Sequence, residues 1–544
     1  MISLDLKSAS LNFSLSAAFI KRTRTFIEEN IIYFLVVILW AAAVVSFLIF
    51  FSSGLGLAYN DARSHLNIAR RVVEGLKPGL AQLGSVWLPL PHILMIPTIW
   101  SELMWHSGLS GGLISMVSFV GTGIVIYKYL ERLNTGIFSR LLGVFIYASN
   151  LNILYLQSTA MTELLLILTM TAGVYEMLLW HQESRLNNLV KASFWTMLAS
   201  LVRYDGWFLL IFASILVIIQ AFKKYGKEAV EGLFFLFITL SALGIFLWFL
   251  WNLIIFGDLF YFVFGPYAAH TQQQQLDAAG NLASKGNLIL SLKIYVLALI
   301  YNTGAFTTIL GAIGAAVFFF TKKLNPSIRI AGLLLLAPFL FNVLALYLGH
   351  SVLFVQGISG NTWFNIRYGI LMIPSVAIFT GYLVHVLKPV RTVITGLLLF
   401  VTFFAVANTD AVTIDDARVG SSQKNVSEVS NWLRKNAAKN KGFILISAAS
   451  HDAIIFSSGL PMKKFIHEGT GAYWTSAVKS PDRWARWIVM RTNDINDSAF
   501  KLVNESKQLY KYKLVKNYPF ADIYMLEAEY LNNLNTEPVL GKQK

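Results

Sequence analysis

The chain contains no cysteine. That single absence excludes disulfides, thiolate metal sites, haem attachment through Cys and a Cys nucleophile. Charge is scarce as well, at 13% of 544 residues, where an ordinary soluble domain carries about a quarter. A water-facing surface around one or two globular cores is therefore excluded. Apolar residues fill the space: 56% of the chain is hydrophobic, 40 residues are Phe, and the mean hydropathy is +0.59. The composition is that of an α-helical polytopic membrane protein. Acids are also outnumbered, 29 Asp and Glu against 44 Lys and Arg. In a soluble protein that excess points to nucleic acid. In a membrane protein basic residues hold loops on the cytoplasmic side, so the expected partner is the lipid bilayer and not nucleic acid.

Lys21, Arg22 and Arg24 precede an apolar run over 31-51. A hydrocarbon core needs about 20 residues to cross, and no small-residue cleavage pattern follows, so this run is a first span with a cytoplasmic N-terminus. Ten more runs follow, near 109-129, 138-157, 162-180, 191-203, 206-222, 231-256, 288-320, 329-350, 365-387 and 391-408, giving about eleven transmembrane helices. Lys128, Arg132 and Arg140, then Arg185 and Lys191, then Lys223, Lys224 and Lys227, then Lys322, Lys323 and Arg329, then Lys388 and Arg391 fall in alternate loops on the N-terminal side. The C-terminal tail is then outside, and the setting expected is the plasma membrane.

Residues 88-106 are the exception. A full crossing there would turn every basic cluster outward, and Trp87-Leu88-Pro89-Leu90-Pro91-His92 opens it with two prolines. A helix lying in the outer interface fits better. The expected organisation is a cytoplasmic segment 1-30, a transmembrane region 31-408 with a long external loop 53-108, and an extracytoplasmic α/β domain 409-544. Strands are expected at 443-447, 487-490 and 521-526, with helices at 425-437 and 497-507.

Four groups of residues stand out on the outer side. Tyr59-Asn60-Asp61-Ala62-Arg63-Ser64-His65 follows the first span, where Asp61 serves as a helix N-cap, a general base or a metal ligand, and His65 shares its face. The same loop carries Arg70, Arg71 and Lys77 on the side that disfavours basic residues, which fits either lipid headgroups or an anionic substrate such as phosphate. Glu163 opens an apolar run, costly unless it faces a cavity or a partner. Arg203-Tyr204-Asp205 forms an external hairpin whose charges either pair with each other or face a site. Arg367-Tyr368 stands at the mouth of the tenth span, as a snorkelling cation or a ligand holder. The topology, fixed from cytoplasmic Lys and Arg alone, sends Asp61, Glu163, Arg203, Asp205 and Arg367 to one face.

This order of a first span, a loop opening with Asp, an interfacial Pro-Leu-Pro segment, a second external acid, a late Arg-Tyr and an α/β tail resembles the GT-C membrane glycosyltransferases. Within them it is similar to the polyprenyl-phosphate-sugar enzymes of the protein O-mannosyltransferase and lipid A aminoarabinose transferase group. The resemblance covers about residues 25 to 408. It implies a polyprenyl-phosphate-linked sugar as donor, a glycan, lipid or protein hydroxyl as acceptor, and in some members a divalent metal ion. By it, Asp61 is the base or acceptor-positioning acid, Glu163 the acid of the second external loop, and Arg367 with Tyr368 the holder of the lipid-linked phosphate. Arg63, His65, Arg70, His92, Arg203 and Asp205 are further substrate-binding candidates. Two departures stand: Asp61 follows Asn60 where relatives often pair two acids, and Trp87-Leu88-Pro89-Leu90-Pro91-His92 replaces a Lys-Pro-Pro-Leu segment.

The competing class is a secondary transporter with an external soluble domain. Transporters concentrate ionisable residues near the bilayer midplane and commonly show two similar halves. Here the charges collect at the outer boundary and no repeat is visible.

Overall fold

The computed structural model describes residues 30-265, 268-278, 280, 282-420 and 426-535. Lys21, Arg22 and Arg24 lie outside the described residues. Eight described helices are long and apolar enough to cross a bilayer: Ile31–Ser52, Leu109–Arg132, Glu163–Glu183, Asp205–Tyr225, Lys227–Phe256, Pro326–Tyr347, Ile366–Val386 and Lys388–Val419. The pair Leu288–Thr303 and Ala305–Phe320, bent by 114°, makes up to nine. Its corner is Gly304, whose φ of 83° lies where only glycine is unstrained. The chain is therefore a multi-pass membrane protein.

Nine of the eleven apolar runs correspond to these elements; the other two fold as shorter helices. Run 138-157 splits into Ile137–Ala148 and Leu151–Leu156, because the Asn150 side chain accepts from the Ile153 N–H and caps a new helix. Run 191-203 belongs to the 17-residue helix Leu186–Val202, whose first turn is polar. Residues 88-106 form Leu90–Ile99 and Glu102–His106. At 1.5 Å per residue the longer of these spans about 15 Å, too little to cross a core of about 30 Å.

The C-terminal region carries a five-stranded sheet: β1 (Phe443–Ile446), β2 (Phe465–Ile466), β3 (Ala485–Met490), β4 (Tyr512–Asn517) and β5 (Asp522–Leu526), in the order β2-β1-β3-β5-β4. β1 runs parallel to β2 and β3, and β5 antiparallel to β3 and β4. β1 is buried along its whole length, which explains its unbroken Phe-Ile-Leu-Ile run. The edge strand β4 exposes Lys513 and Lys516 instead. Charge on an edge blunts pairing with other chains, and it also hides the strand from a hydrophobicity reading.

In open parallel sheets the strand carboxyl ends are the usual ligand position. Here side chains of the region itself fill them. Glu468 accepts from the Ala448 N–H at 2.8 Å and from the Ser447 hydroxyl. Asp497 pairs with His451 at 2.8 Å and accepts from the Arg491 N–H at 2.7 Å. This end of the sheet sits on the first-loop helix Asn60–Val73: Asp452 accepts from Asn67 at 2.9 Å and from Arg71 at 3.0 Å, and Glu74 accepts from the Met462 N–H at 3.1 Å.

Candidate active site

Five membrane-boundary positions meet around Arg367 and Arg203. The first span ends just before Tyr59 and Asp61, three others begin at Glu163, Asp205 and Ile366, and the last leads into Asp416. The ion pairs among these residues place the starts and ends together at one end of the bundle.

Arg367 is 3% exposed, and its Nε and Nη2 are hydrogen-bonded while Nη1 is buried without a hydrogen-bond partner. Its Nη2 donates to Asp61 Oδ2 at 2.7 Å and its Nε to Glu163 Oε1 at 2.9 Å, while Nη1 stands 3.6 Å from Asp416 Oδ2. The guanidinium carbon lies 4.9 Å from the centre of the Tyr59 ring and 5.6 Å from that of Tyr368. Arg203 forms the second cationic corner. It reaches Glu163 and Asp205 at 3.4 Å each and lies 4.7 Å from the Tyr368 ring centre. Four carboxylates thus face two guanidiniums, so both Arg charges are compensated at the edge of a low-dielectric layer.

The local chain explains how these residues arrive there. Asn365 adopts a left-handed conformation (φ 54°) that Asn tolerates, and its side chain donates to the Val352 carbonyl at 2.9 Å. This turns the chain into the 3-10 helix Ile366–Met372, which presents Arg367. At Gly369 an added Cβ would lie 2.4 Å from the Ala298 carbonyl oxygen, and at Gly206 2.3 Å from that of Ala199. Both glycines let backbone pack on backbone beside the two arginines.

The helix of the first loop starts at Asn60 and not at Ala62, so Asp61 lies inside its first turn and is no N-cap. Its carboxylate reaches across the site to Arg367. His65, on the next turn, is 2.8 Å from His92 between Nδ1 and Nε2, and Trp87 covers it with ring centres 4.2 Å apart. Burial, with the Arg203 and Arg367 charges beside it, pushes His65 down to about 3; burial lowers His92 well below its ordinary value too. Both imidazoles are neutral, one donating an N–H to the other. They form an uncharged wall beside the charged cluster.

The remaining candidates go elsewhere. Arg63 donates to the Leu57 carbonyl at 2.9 Å and to Asn60 at 3.3 Å, which ties the loop to its own start. Arg70 is spent on the fold: it donates to the Ile99 and Trp100 carbonyls at 2.8 and 2.6 Å, pairs with Glu74 and Glu102, and lies over Trp105. Arg71 holds the C-terminal region through Asp452. Asp416 and Tyr59 join the cluster without having been singled out as candidates. Asp416 lies near the end of the last long helical element, Lys388–Val419, in a stretch that reads as ordinary polar tail, and only its place beside Arg367 distinguishes it.

The possible divalent metal meets a different arrangement. No group of three or more His, Asp or Glu side chains among the described residues could hold a metal ion. The carboxylates converge on Arg367, which supplies the positive charge that a metal would.

No family model matches the chain, and no curated protein matches it. Solved structures do. ArnT from Cupriavidus metallidurans, in its crystal structure bound to undecaprenyl phosphate, superposes with a TM-score of 0.58 at 11% identity over 91% of this chain and 98% of its own. Its apo form gives 0.53 at 10% over the same shares. The archaeal oligosaccharyltransferase AglB from Archaeoglobus fulgidus gives 0.49 at 10% over 93% and 75%. The fold, a helical membrane bundle with a C-terminal sheet region, is therefore shared with ArnT over nearly the whole of both chains.

Proposed function

We propose that the protein is an integral-membrane glycosyltransferase that moves one hexose or pentose from a polyprenyl-phosphate donor to an acceptor hydroxyl on the outer membrane face. The observation that carries this reading is the Asp61–Arg367–Glu163 constellation at one end of a GT-C bundle, in the fold that ArnT uses with undecaprenyl phosphate bound. A transporter would hold its ionisable groups nearer the midplane. Here the residues of the cluster sit where spans begin or end.

In this reading the Arg367 and Arg203 guanidiniums hold the donor phosphate and stabilise the charge that grows on it as it leaves. Asp61 takes the proton from the acceptor hydroxyl. The acceptor oxygen bonds to the anomeric carbon as the carbon–phosphate oxygen bond breaks, and the electron pair departs with polyprenyl phosphate. One displacement inverts the anomeric configuration. The wall of His65, His92 and Trp87 orients the sugar or acceptor without adding charge. The N-terminus is cytoplasmic and the C-terminal region extracytoplasmic in this scheme, as the loop charges require.

Purified protein incubated with a panel of polyprenyl-phosphate sugars and an acceptor extract is expected to release polyprenyl phosphate with one of them. No release with any donor would overturn the reading. A reporter fused after Lys544 tests sidedness on its own, and a cytoplasmic signal there would reverse the topology.

A further inference from the structure

Arg367 carries three carboxylates that do not hold it alike. The side chains of Glu163 and Asp416 are wholly inaccessible, whereas 33% of the Asp61 side-chain surface remains open. Asp416 is fixed from behind. The Tyr59 hydroxyl lies 3.0 Å from its Oδ2 and 2.9 Å from the Thr413 carbonyl, and Thr413 in turn donates its N–H and hydroxyl to Asn152 Oδ1 at 3.0 and 2.8 Å. Glu163 is fixed by its place at a helix start and by its second cation, Arg203. Asp61 alone approaches Arg367 from the accessible side of the site.

A guanidinium recognises phosphate best through two parallel N–H groups on one edge. On Arg367 that two-donor mode is closed, because the Nε is committed to the buried Glu163 and Nη1 is buried 3.6 Å from Asp416; the N–H groups left to a phosphate are those of Nη2, the atom that Asp61 holds at 2.7 Å. Phosphate and Asp61 therefore claim the same N–H from the same side.

We propose, on the polyprenyl-phosphate reading above, that Glu163 and Asp416 are the permanent seat of Arg367 and that Asp61 is its exchangeable partner, replaced on Nη2 by the donor phosphate. The exchange substitutes one anion for another and leaves no buried charge unpaired. It also ties the base to the donor: Asp61 is released to accept the acceptor's proton only when the phosphate has taken its place. Asp416 acts through Arg367 and is a positioning residue.

The test is equilibrium binding of polyprenyl phosphate, without sugar, to the full-length protein in detergent. Asp61→Asn is expected to bind about tenfold more tightly than the wild type, the gain from removing a competing partner worth about 1.4 kcal/mol. Asp416→Asn removes the same charge from the same guanidinium, but on the closed side, and is expected to change affinity by no more than about twofold. With the sugar donor, Asp416→Asn is expected to lower turnover at saturation while its KM moves by less than about threefold. Equal tightening in both variants would assign the effect to net charge and overturn the exchange, as would unchanged or weaker binding by Asp61→Asn. Should the Asn variant not purify as a monodisperse protein, Asp61→Ser serves the same comparison. A wild type that does not bind polyprenyl phosphate at all would overturn the functional reading together with the exchange; a wild type that binds while Asp61→Asn gains nothing overturns the exchange alone.

Discussion

Replacing Glu163 with Gln keeps the shape of a buried side chain and removes one charge from the floor of the site. Its Oε1 accepts from Arg367 Nε at 2.9 Å and from Arg203 Nη1 at 3.4 Å, with no exposed surface of its own. Unit charges about 4 Å apart interact by ~4 kcal/mol at an effective dielectric near 20. Part of that is recovered, because an amide costs less to bury than a carboxylate. Breaking a buried pair and stranding its partner costs about 3 to 5 kcal/mol. Arg367 is not stranded, since Asp61 and Asp416 remain beside it. The expected loss is therefore at the lower end, ~3 kcal/mol. Arg367→Gln works the other way: it leaves Glu163, Asp61 and Asp416 together without their common cation, and is expected to cost ~5 kcal/mol or more. Unfolding of the purified proteins in detergent, followed by tryptophan fluorescence against temperature, should rank wild type above Glu163→Gln and Glu163→Gln above Arg367→Gln. A Glu163→Gln protein that melts with the wild type, or an Arg367→Gln protein more stable than it, would refute the reasoning.

Acid should destabilise the protein through its buried imidazoles. Burial pushes His65 and His467 down to about 3, whereas in an unfolded chain they titrate near 6.5, so the unfolded state takes up protons first. Their contribution is complete above about pH 6.5 and shrinks as the pH falls toward 3; each costs ~2 kcal/mol at pH 5 relative to pH 7. Melting curves from pH 8 to pH 5 should show the loss, and His65→Asn should reduce it; a flat profile would contradict the neutral burial of these rings. Gly206→Ala forces a methyl against the Ala199 carbonyl and should cost about 1 to 3 kcal/mol while lowering sugar transfer through the displaced Arg203, measured side by side by melting and by release of polyprenyl phosphate. Arg70→Ala should lower the melting temperature yet leave polyprenyl-phosphate affinity of the folded protein within about twofold, because its partners are loop carbonyls, Glu74 and Glu102; a large loss of affinity would place it in the site after all.

Much of the architecture was legible without coordinates because it follows from transfer energies that single segments carry. Nine apolar runs became the long elements of the bundle, Pro89 and Pro91 marked a segment that does not cross, and the runs at 443-447, 487-490 and 521-526 became β1, β3 and β5. The strands that escaped were β2, two residues long, and β4, whose Lys513 and Lys516 mask its pattern. The helix at 138-157 was read as unbroken because an Asn cap inside an apolar stretch adds little to its polarity.

The sequence by itself determined that this is a membrane protein and which way its loops are charged, and it led to the expectation that Asp61, Glu163, Arg203, Asp205 and Arg367 share one membrane face. Hydrophobicity and the sidedness of Lys and Arg are properties of each segment, so they survive without knowledge of its neighbours. Only the tertiary structure decided what each arginine does. Arg63, Arg70 and Arg71 share a helix or its edge with Asp61, yet one ties the loop, one braces it and one docks the sheet, while Arg367, 306 residues away, is the cation that Asp61 meets. A buried guanidinium is defined by the carboxylates packed around it, and packing brings those from spans far apart in the chain. For the same reason Asp416 and Tyr59 became visible only once the last span and the first loop were placed side by side.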